Sequence, residues 1–419
     1  MKVFKFAGAS VKDAAGVRNV AAVLSHFPKD DLLIVVSAMG KTTNALEEVV
    51  WAYAEGHDAG SKVAALEQQH RAVLNEVAPA DAAALAALDE QFSALRLQLA
   101  EPVVLDVDHY YDRFVAFGEL WSTTIVSAHL NAVGVANEWV DARRIIITDD
   151  RHRAANVKWD LLQEQVRERM PTFDRAPARM VTQGFIGSTE NGQTTTLGRE
   201  GSDFSAAIFA YALDAESVTI WKDVPGMFNA DPKRFANTRL LEHISYKEAI
   251  ELSYFGASVI HPRTLQPLQR KGIPLYVRSF MDLAAPGSTI SEATDHDTLI
   301  PSFIVKPQQL LISITPRDLS FIVEENLGDI FLLFAKRNVR IDLMQNSAVA
   351  FTVAVEDTAR SRQLIEELRT RYEVLYNEGC ELLTVRHFDE ATLTELTAGK
   401  HILIEQRSRV TARYVTKAQ

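Results

Sequence analysis

The 419-residue chain holds a single cysteine, Cys380. One thiol closes no intrachain disulfide, which excludes the cross-linked framework of a small secreted domain and argues against a thiolate metal cluster. Cys380 lies in the apolar run 379–385 and reads as a packed core thiol. No stretch of about 18 apolar residues occurs, so no membrane span is expected. Positive charge is also short: 44 Lys and Arg against 55 Asp and Glu leave a formal charge of −11. That disfavours DNA or RNA as a partner, yet a few cations inside a cleft can still hold a small anion. No His/Glu spacing of the HExxH kind occurs, and no metal-ligand set is assigned. Met1 leads straight into the strand-like residues 3–6, leaving no room for a secretory leader, so a cytoplasmic location is expected.

What is present is ordinary globular composition, 47% hydrophobic and 24% charged, in a chain long enough for two or three domains. Short apolar runs at 32–36, 144–147, 179–182, 217–221 and 274–277 read as strands. Between them lie Ala- and Leu-rich helical stretches, notably across 62–99 and 205–213. Strands alternating with helices predict an α/β domain with a mostly parallel sheet over 1–290. The pattern loosens at Ala284-Ala285-Pro286-Gly287, and 291–308 reads as a linker. From 309 to 388 the order is β-α-β-β-α-β, the ferredoxin-like plan. Residues 389–419 add two strand-like runs, too few for a second full copy.

Several residues could carry chemistry. Gly40-Lys41-Thr42 ends like a Walker loop, but Val35 stands where its first glycine belongs, so that loop cannot wrap a phosphate. Lys5 closes a strand and is followed by Ala7, Gly8, Ala9 and Ser10, a turn that lets backbone N–H groups approach phosphate oxygens or simply ends the strand. The run 194–203 is more particular. Gly198 and Gly201 allow close backbone approach, Arg199 offers a fork for a carboxylate, and Ser202-Asp203 suit a helix start. A Gly-rich turn with a capped helix is the plainer reading. Lys222 and Asp223 sit at a strand end, where open α/β sheets bind ligands, and Glu119 lies in a helical apolar stretch.

Together these residues resemble the aspartate kinases, within the wider amino-acid kinase family. Residues 5–11 match the family's KFGGTSV, Ser37-Ala38 with Thr43-Asn44 its SA…TN segment, and Gly118-Glu119 its GE block. Residues 183–187 and 195–203 match TQGF and TTLGRGGSD; Asp223 to Gly226, Asp231-Pro232 and His261-Pro262 match its nucleotide side. The tail from 310 resembles an ACT regulatory domain followed by an incomplete second copy. The resemblance implies a three-layer kinase sandwich and transfer of a phosphoryl group from ATP, with Mg2+, to L-aspartate, the start of the route to lysine, threonine and methionine. It implies that Lys5 balances charge on the transferred group and that Asp203 organises the catalytic groups. Arg199 would hold the α-carboxylate with Thr43 and Ser202, and Glu119 would meet the ammonium. Gly8, Ser10, Lys222, Asp223, Phe228, Lys233 and Ser258 would line the nucleotide. It further implies an amino-acid effector near Met344 to Ser347 and a homodimer or dimer of dimers.

The departures are specific. Ala7 and Ala9 replace a glycine and a threonine, Glu200 a glycine, Phe228 and Lys233 a tyrosine and an arginine, and Ser258 a lysine. Glu200, an anion beside an anionic substrate, is expected to point away or pair with a cation such as Lys222. Lys222 or Arg263 is expected to stand in for the lysine missing at Ser258. Two other outcomes stay open: a kinase for another carboxylate, such as glutamate or N-acetylglutamate, and a catalytically impaired amino-acid sensor. Glu119 favours a free ammonium, and the joint presence of Lys5, Glu119, Arg199 and Asp203 weighs against the sensor.

Overall fold

Leu32, Leu33, Ile34, Val35 and Val36 are all fully buried. Side chains of a strand point alternately to its two faces, so such a strand must be covered on both. The computed structural model describes residues 1–104, 106–170, 178–198, 200–257, 260–318 and 320–418. The chain divides into two compact units: Met1–Met227 with Leu240–Ile250 and Val259–Thr294, and Phe228–Arg239 with Glu251–Ser258 and Asp295–Gln419.

The first unit opens with β1 (Lys2–Phe6), α1 (Ala14–Leu24), β2 (Leu32–Val36), α2 (Thr42–Ala54), α3 (Gly60–Val77) and α4 (Ala82–Leu99). It continues with α5 (Val107–Ala132), β3 (Glu138–Val140), β4 (Ile147–Thr148), α6 (Trp159–Arg169), β5 (Arg179–Gln183), β6 (Ile186–Thr189) and β7 (Thr194–Thr196). Then come α7 (Gly201–Ala212), β8 (Ser217–Lys222), β9 (His243–Ser245), α8 (Tyr246–Phe255), α9 (Pro262–Lys271), β10 (Leu275–Ser279) and β11 (Ser288–Ser291). Eight strands form one sheet in the order β3-β5-β2-β1-β8-β10-β11-β9, parallel throughout except where β10 meets β11. The helix α5 packs on β2, β3 and β5 and is met by α1 to α4, whereas α7 packs on β1, β2 and β8 and carries α9. The expected α/β sandwich with a mostly parallel central sheet is therefore the observed one.

Local differences have local causes. The helical stretch 62–99 is two helices, because Pro79 interrupts it and Asp81 caps α4 by accepting from the Ala84 amide. The run 144–147 is not a strand: Asp141 caps a short 3-10 turn at Ala142–Arg144, and only Ile147–Thr148 pairs. Ser202 and Asp203 do not cap α7; Glu200 holds the cap position and the two fall in the first turn.

The second unit adds β12 (Ser302–Pro316), α10 (Glu324–Lys336), β13 (Ile341–Asn346), β14 (Phe351–Glu356), α11 (Ala359–Arg369), β15 (Tyr372–Arg386), α12 (Glu390–Thr397), β16 (Lys400–Arg407) and β17 (Thr411–Ala418). Its sheet runs β13-β14-β12-β15-β17-β16. The first four strands have the ferredoxin-like order, with Leu310, Ile312, Ile314, Val353 and Val355 packed beneath Ile330, Phe334, Leu364 and Leu368 of α10 and α11. The two strands expected at 373–377 and 382–386 are one continuous strand. Its far half pairs Arg386 to Leu382 with Ser302 to Lys306, a segment expected to be linker. With β17 and β16 beyond it, this half repeats the same strand order, and α12 covers it over Leu383, Val385, Leu393 and Tyr414.

Candidate active site

In the first unit Lys5 and Asp203 meet across 198 residues of sequence. The reason is topological: β1 lies between β2 and β8, and α7 packs over β1. The Lys5 Nζ is 2.6 Å from Asp203 Oδ1, and Lys222 Nζ, from the end of β8, is 3.3 Å from Asp203 Oδ2. Lys5 and Asp203 are both nearly fully buried. Burial draws the Lys5 ammonium down from its usual range, against the pull of Asp203. Burial pushes Asp203 the other way, but Lys5 and Lys222 outweigh it and hold the carboxyl below its ordinary value. The cluster is thus two cations sharing one anion, an arrangement able to receive further negative charge.

That cluster lines a cavity of about 660 Å³. Gly8, Thr43, Ser202 and Asp223 line it as well, together with Glu119. Glu119 projects from α5 with one oxygen accepting from the Ala38 amide at 3.3 Å. Its Oε2 is buried and accepts no hydrogen bond among the described residues. Burial, only partly offset by the Ala38 amide and by Lys5, pushes this carboxyl up to about 8. One turn on, Ser122 donates to the Ser37 carbonyl at 2.7 Å, so α5 holds the whole turn after β2. Gly8 needs to be glycine here, since a Cβ would stand 2.6 Å from the Ala38 carbonyl oxygen.

The run 194–203 is anchored from behind. Thr196 donates to Asp112 Oδ1 at 2.5 Å, and Asp112, fully buried on α5, also accepts from His152 Nδ1 at 2.8 Å and from the Arg153 amide at 3.1 Å. Gly198 has φ of 79° and Glu200 φ of 56°, both left-handed. Glu200 neither turns away nor takes Lys222 as its ion-pair partner. It lines the cavity, and its Oε2 is buried without a hydrogen bond among the described residues. Lys222 is drawn to Asp203 instead. Arg263 donates to the Leu197 carbonyl at 3.1 Å and stacks its guanidinium over the Phe204 ring, centroid 4.8 Å away.

Lys5, Gly8, Thr43, Glu119, Ser202, Asp203, Lys222 and Asp223 therefore share one cavity. Ser10 is buried beside it, its hydroxyl 3.5 Å from the Trp221 carbonyl. Phe228 and Lys233 belong to the second compact unit. Arg199 and Ser258 lie outside the described residues. Sequence reasoning missed Tyr111 and Arg153, which also line the cavity. Arg153 stands at φ of 63°, stacks 3.9 Å above the Tyr111 ring and pairs with Glu47 at 2.8 Å. No motif marks an arginine in such a turn.

Comparison with known proteins places this arrangement. The model of the amino acid kinase family matches residues 1–279. Over 401 residues the chain is 32% identical to the lysine-sensitive aspartokinase 3 of Escherichia coli (strain K12), covering 91% of this chain and 86% of that protein. It is 36% identical over 303 residues to a chloroplastic bifunctional aspartokinase/homoserine dehydrogenase 2 of Arabidopsis thaliana. The chain spans about a third of the length of that bifunctional relative, 33%. Among solved structures, E. coli aspartokinase III in complex with lysine and aspartate superposes with a TM-score of 0.83 at 27% identity, over 99% of this chain and 95% of that one. The complex of that enzyme with aspartate and ADP gives 0.81 at 26% identity, over 100% of this chain and 96% of that one. The chain belongs to the amino acid kinase family and, within it, to the aspartokinases.

Proposed function

We propose that the chain transfers the γ-phosphoryl group of ATP to the β-carboxylate of L-aspartate, giving aspartyl phosphate on the route to lysine, threonine and methionine. The observation that carries this reading is the Lys5–Asp203–Lys222 cluster opening onto the same cavity as Glu119, whose Oε2 has no hydrogen-bond partner among the described residues. The cavity thus offers cations for phosphoryl oxygens and a carboxylate for an ammonium.

The β-carboxylate is already ionised at neutral pH, so its attack on the γ-phosphorus needs no general base. A bond forms from carboxylate oxygen to phosphorus while the bond from phosphorus to the β–γ bridging oxygen breaks. Catalysis then rests on position and charge. Lys5 takes up negative charge on the transferred group, and Asp203 holds Lys5 and Lys222 in place. Glu119 receives the substrate ammonium; Arg199, Thr43 and Ser202 are assigned to the α-carboxylate. Gly8, Ser10, Lys222 and Asp223 are assigned to the nucleotide phosphates, and Phe228, Lys233 and Ser258 to the nucleotide by resemblance alone. Among the described residues no three His, Cys, Asp or Glu side chains form a metal cage. By resemblance alone, Mg2+ is proposed to accompany the nucleotide, whose phosphate charge it would lower.

One relative is named lysine-sensitive and one solved relative holds lysine, which supports an amino-acid effector; by resemblance alone Met344, Gln345, Asn346 and Ser347 of the second unit are its proposed contacts. A homodimer or dimer of dimers is proposed with it, supported by the exposed apolar Met344 and Leu375 on its sheet. No helix among the described residues is long and apolar enough to cross a membrane, and a cytoplasmic site of action, where ATP is at hand, is proposed. The test is acyl-phosphate trapping with hydroxylamine, using ATP and L-aspartate, L-glutamate or N-acetyl-L-glutamate. Hydroxamate from L-aspartate alone is expected. Product from either of the others reassigns the substrate, and product from none supports an amino-acid sensor.

A further inference from the structure

A second cavity of about 180 Å³ lies in the first unit, apart from the one described above. Its wall includes Asn156, Trp159, Phe204, Arg263, Gln266 and Arg270, and no described lining residue is acidic. Arg263, Gln266 and Arg270 are spaced by three and four along α9 and so share one helix face. The chain has 55 carboxylates for 44 basic side chains. Among the described residues, however, neither Arg263 nor Arg270 lies within ion-pair distance of an acid. The partners of Arg263 are the carbonyls of Leu197 and, at 3.5 Å, Ala155, and the Phe204 ring. Neutral partners leave its charge uncompensated, and burial and nearby Arg151 both press its guanidinium below the ordinary range.

We propose that this cavity is a binding site for a small oxyanion of the phosphate or sulfate class, held by Arg263 and Arg270 with Gln266 as a neutral donor; the Asn156 amide on its wall is already committed to Asp149, to which it donates at 2.7 Å. Size supports the class: nucleotides and other large ligands occupy pockets of about 300–1,000 Å³, whereas a tetrahedral oxyanion with a few waters fits the space here. Guanidinium groups match such oxygens two at a time, which an ammonium does not. The site backs onto the substrate loop. Arg263 holds the Leu197 carbonyl, one residue before Gly198, and Phe204 follows Asp203 directly, so a bound anion pulls on the group that braces the loop.

Two sources share this chemistry, free inorganic phosphate and the phosphate group of an ester. Isothermal titration of the full chain with inorganic phosphate, sulfate and glycerol 3-phosphate at fixed ionic strength separates them. Quenching or enhancement of Trp159 emission, compared with Trp159→Phe, gives a second readout at the cavity wall. Phosphate and sulfate are expected to compete for one site, and Arg270→Ala is expected to weaken both by about 10-fold or more, the worth of a charge-assisted pair. Basal turnover of Arg270→Ala should stay unchanged, since Arg270 touches none of the catalytic groups. Tighter binding of the ester would assign the site to phosphorylated metabolites, and equal binding to the free anion. Equal phosphate affinity in wild type and Arg270→Ala, or no phosphate-dependent change at Trp159, overturns the proposal.

Discussion

Lys5 and Asp203, nearly 200 positions apart in the chain, form a buried ion pair at 2.6 Å, and Lys222 closes on the other oxygen of the same carboxylate. The pair commits two lysines to one anion in a place shielded from water, where each lost partner is felt strongly.

Lys5→Ala is expected to lower kcat by about 100–1,000-fold, the usual worth of one aimed donor at a developing charge. The KM for L-aspartate should change far less. Steady-state kinetics of the folded variant check this, and near-normal turnover would remove Lys5 from its assigned role. Asp203→Asn leaves the buried Lys5 without its carboxylate and should cost about 3–5 kcal/mol of stability. The double variant Lys5→Met/Asp203→Asn should recover part of that loss in urea denaturation.

Glu119 predicts a pH dependence with a definite sign. Its folded-state value, about 8, lies above the ordinary 4.5, so the native protein keeps a proton that the unfolded chain has released between those values. Stability therefore falls as pH rises through that window, by at most about 1.4 kcal/mol per pH unit from this group. Glu119→Gln should lose that part of the slope in urea titrations across the window. Only the ionised carboxylate attracts an ammonium, so the wild-type KM for L-aspartate should fall as pH climbs toward 8, the value Glu119 takes in the free protein. An identical stability profile in Glu119→Gln would show that Glu119 titrates in its ordinary range.

Glu200 holds φ of 56°, a conformation costing a non-glycine residue about 1–2 kcal/mol. Glu200→Gly should relieve that strain and, after the entropy glycine loses on folding, raise stability by up to about 1 kcal/mol. Calorimetry would read this as a rise in Tm of up to about 1–2 °C. A lower Tm would mean that the carboxylate makes a stabilising contact in solution.

Gly8→Ala should fold but bind nucleotide poorly. The added Cβ would meet the Ala38 and Gly40 carbonyl oxygens at 2.6 and 3.1 Å, and backbone on both sides would have to move. Overpacking of this kind costs about 1–3 kcal/mol. A rise in the KM for ATP of about 10-fold or more is expected, that tenfold being worth about 1.4 kcal/mol. An unchanged KM for ATP would show that the turn after β1 does not cradle phosphates.

Much of the architecture was legible in the residues themselves. The run Leu32 to Val36 is apolar on both faces and can only be an interior parallel strand, and the β-α-β-β-α-β order after 309 is written in its periodicity. Individual motifs also carry local chemistry: a lysine at a strand end, a glycine pair around Arg199, a glutamate in an apolar helix. Capping detail was less legible. Ser202 and Asp203 have the composition of a helix cap, but Asp203 is recruited by Lys5, and the cap position falls to Glu200 in a strained conformation. Arg153 gave no signal, since its place depends on Asp112 accepting its backbone N–H from a distant helix.

By itself, then, the sequence determined the alternation of strands and helices, the lone cysteine that can close no intrachain disulfide, and the residue types available for phosphoryl transfer. These depend on local pattern and composition. Tertiary structure alone decided which of those residues share charge: that Lys222 joins Asp203 rather than Glu200, that Arg263 braces Leu197, and that residues 302–306 pair with 382–386. Such pairings follow from strand order and helix packing, and the energy of a buried charge depends on what lies within a few ångströms in space, which no local sequence window contains.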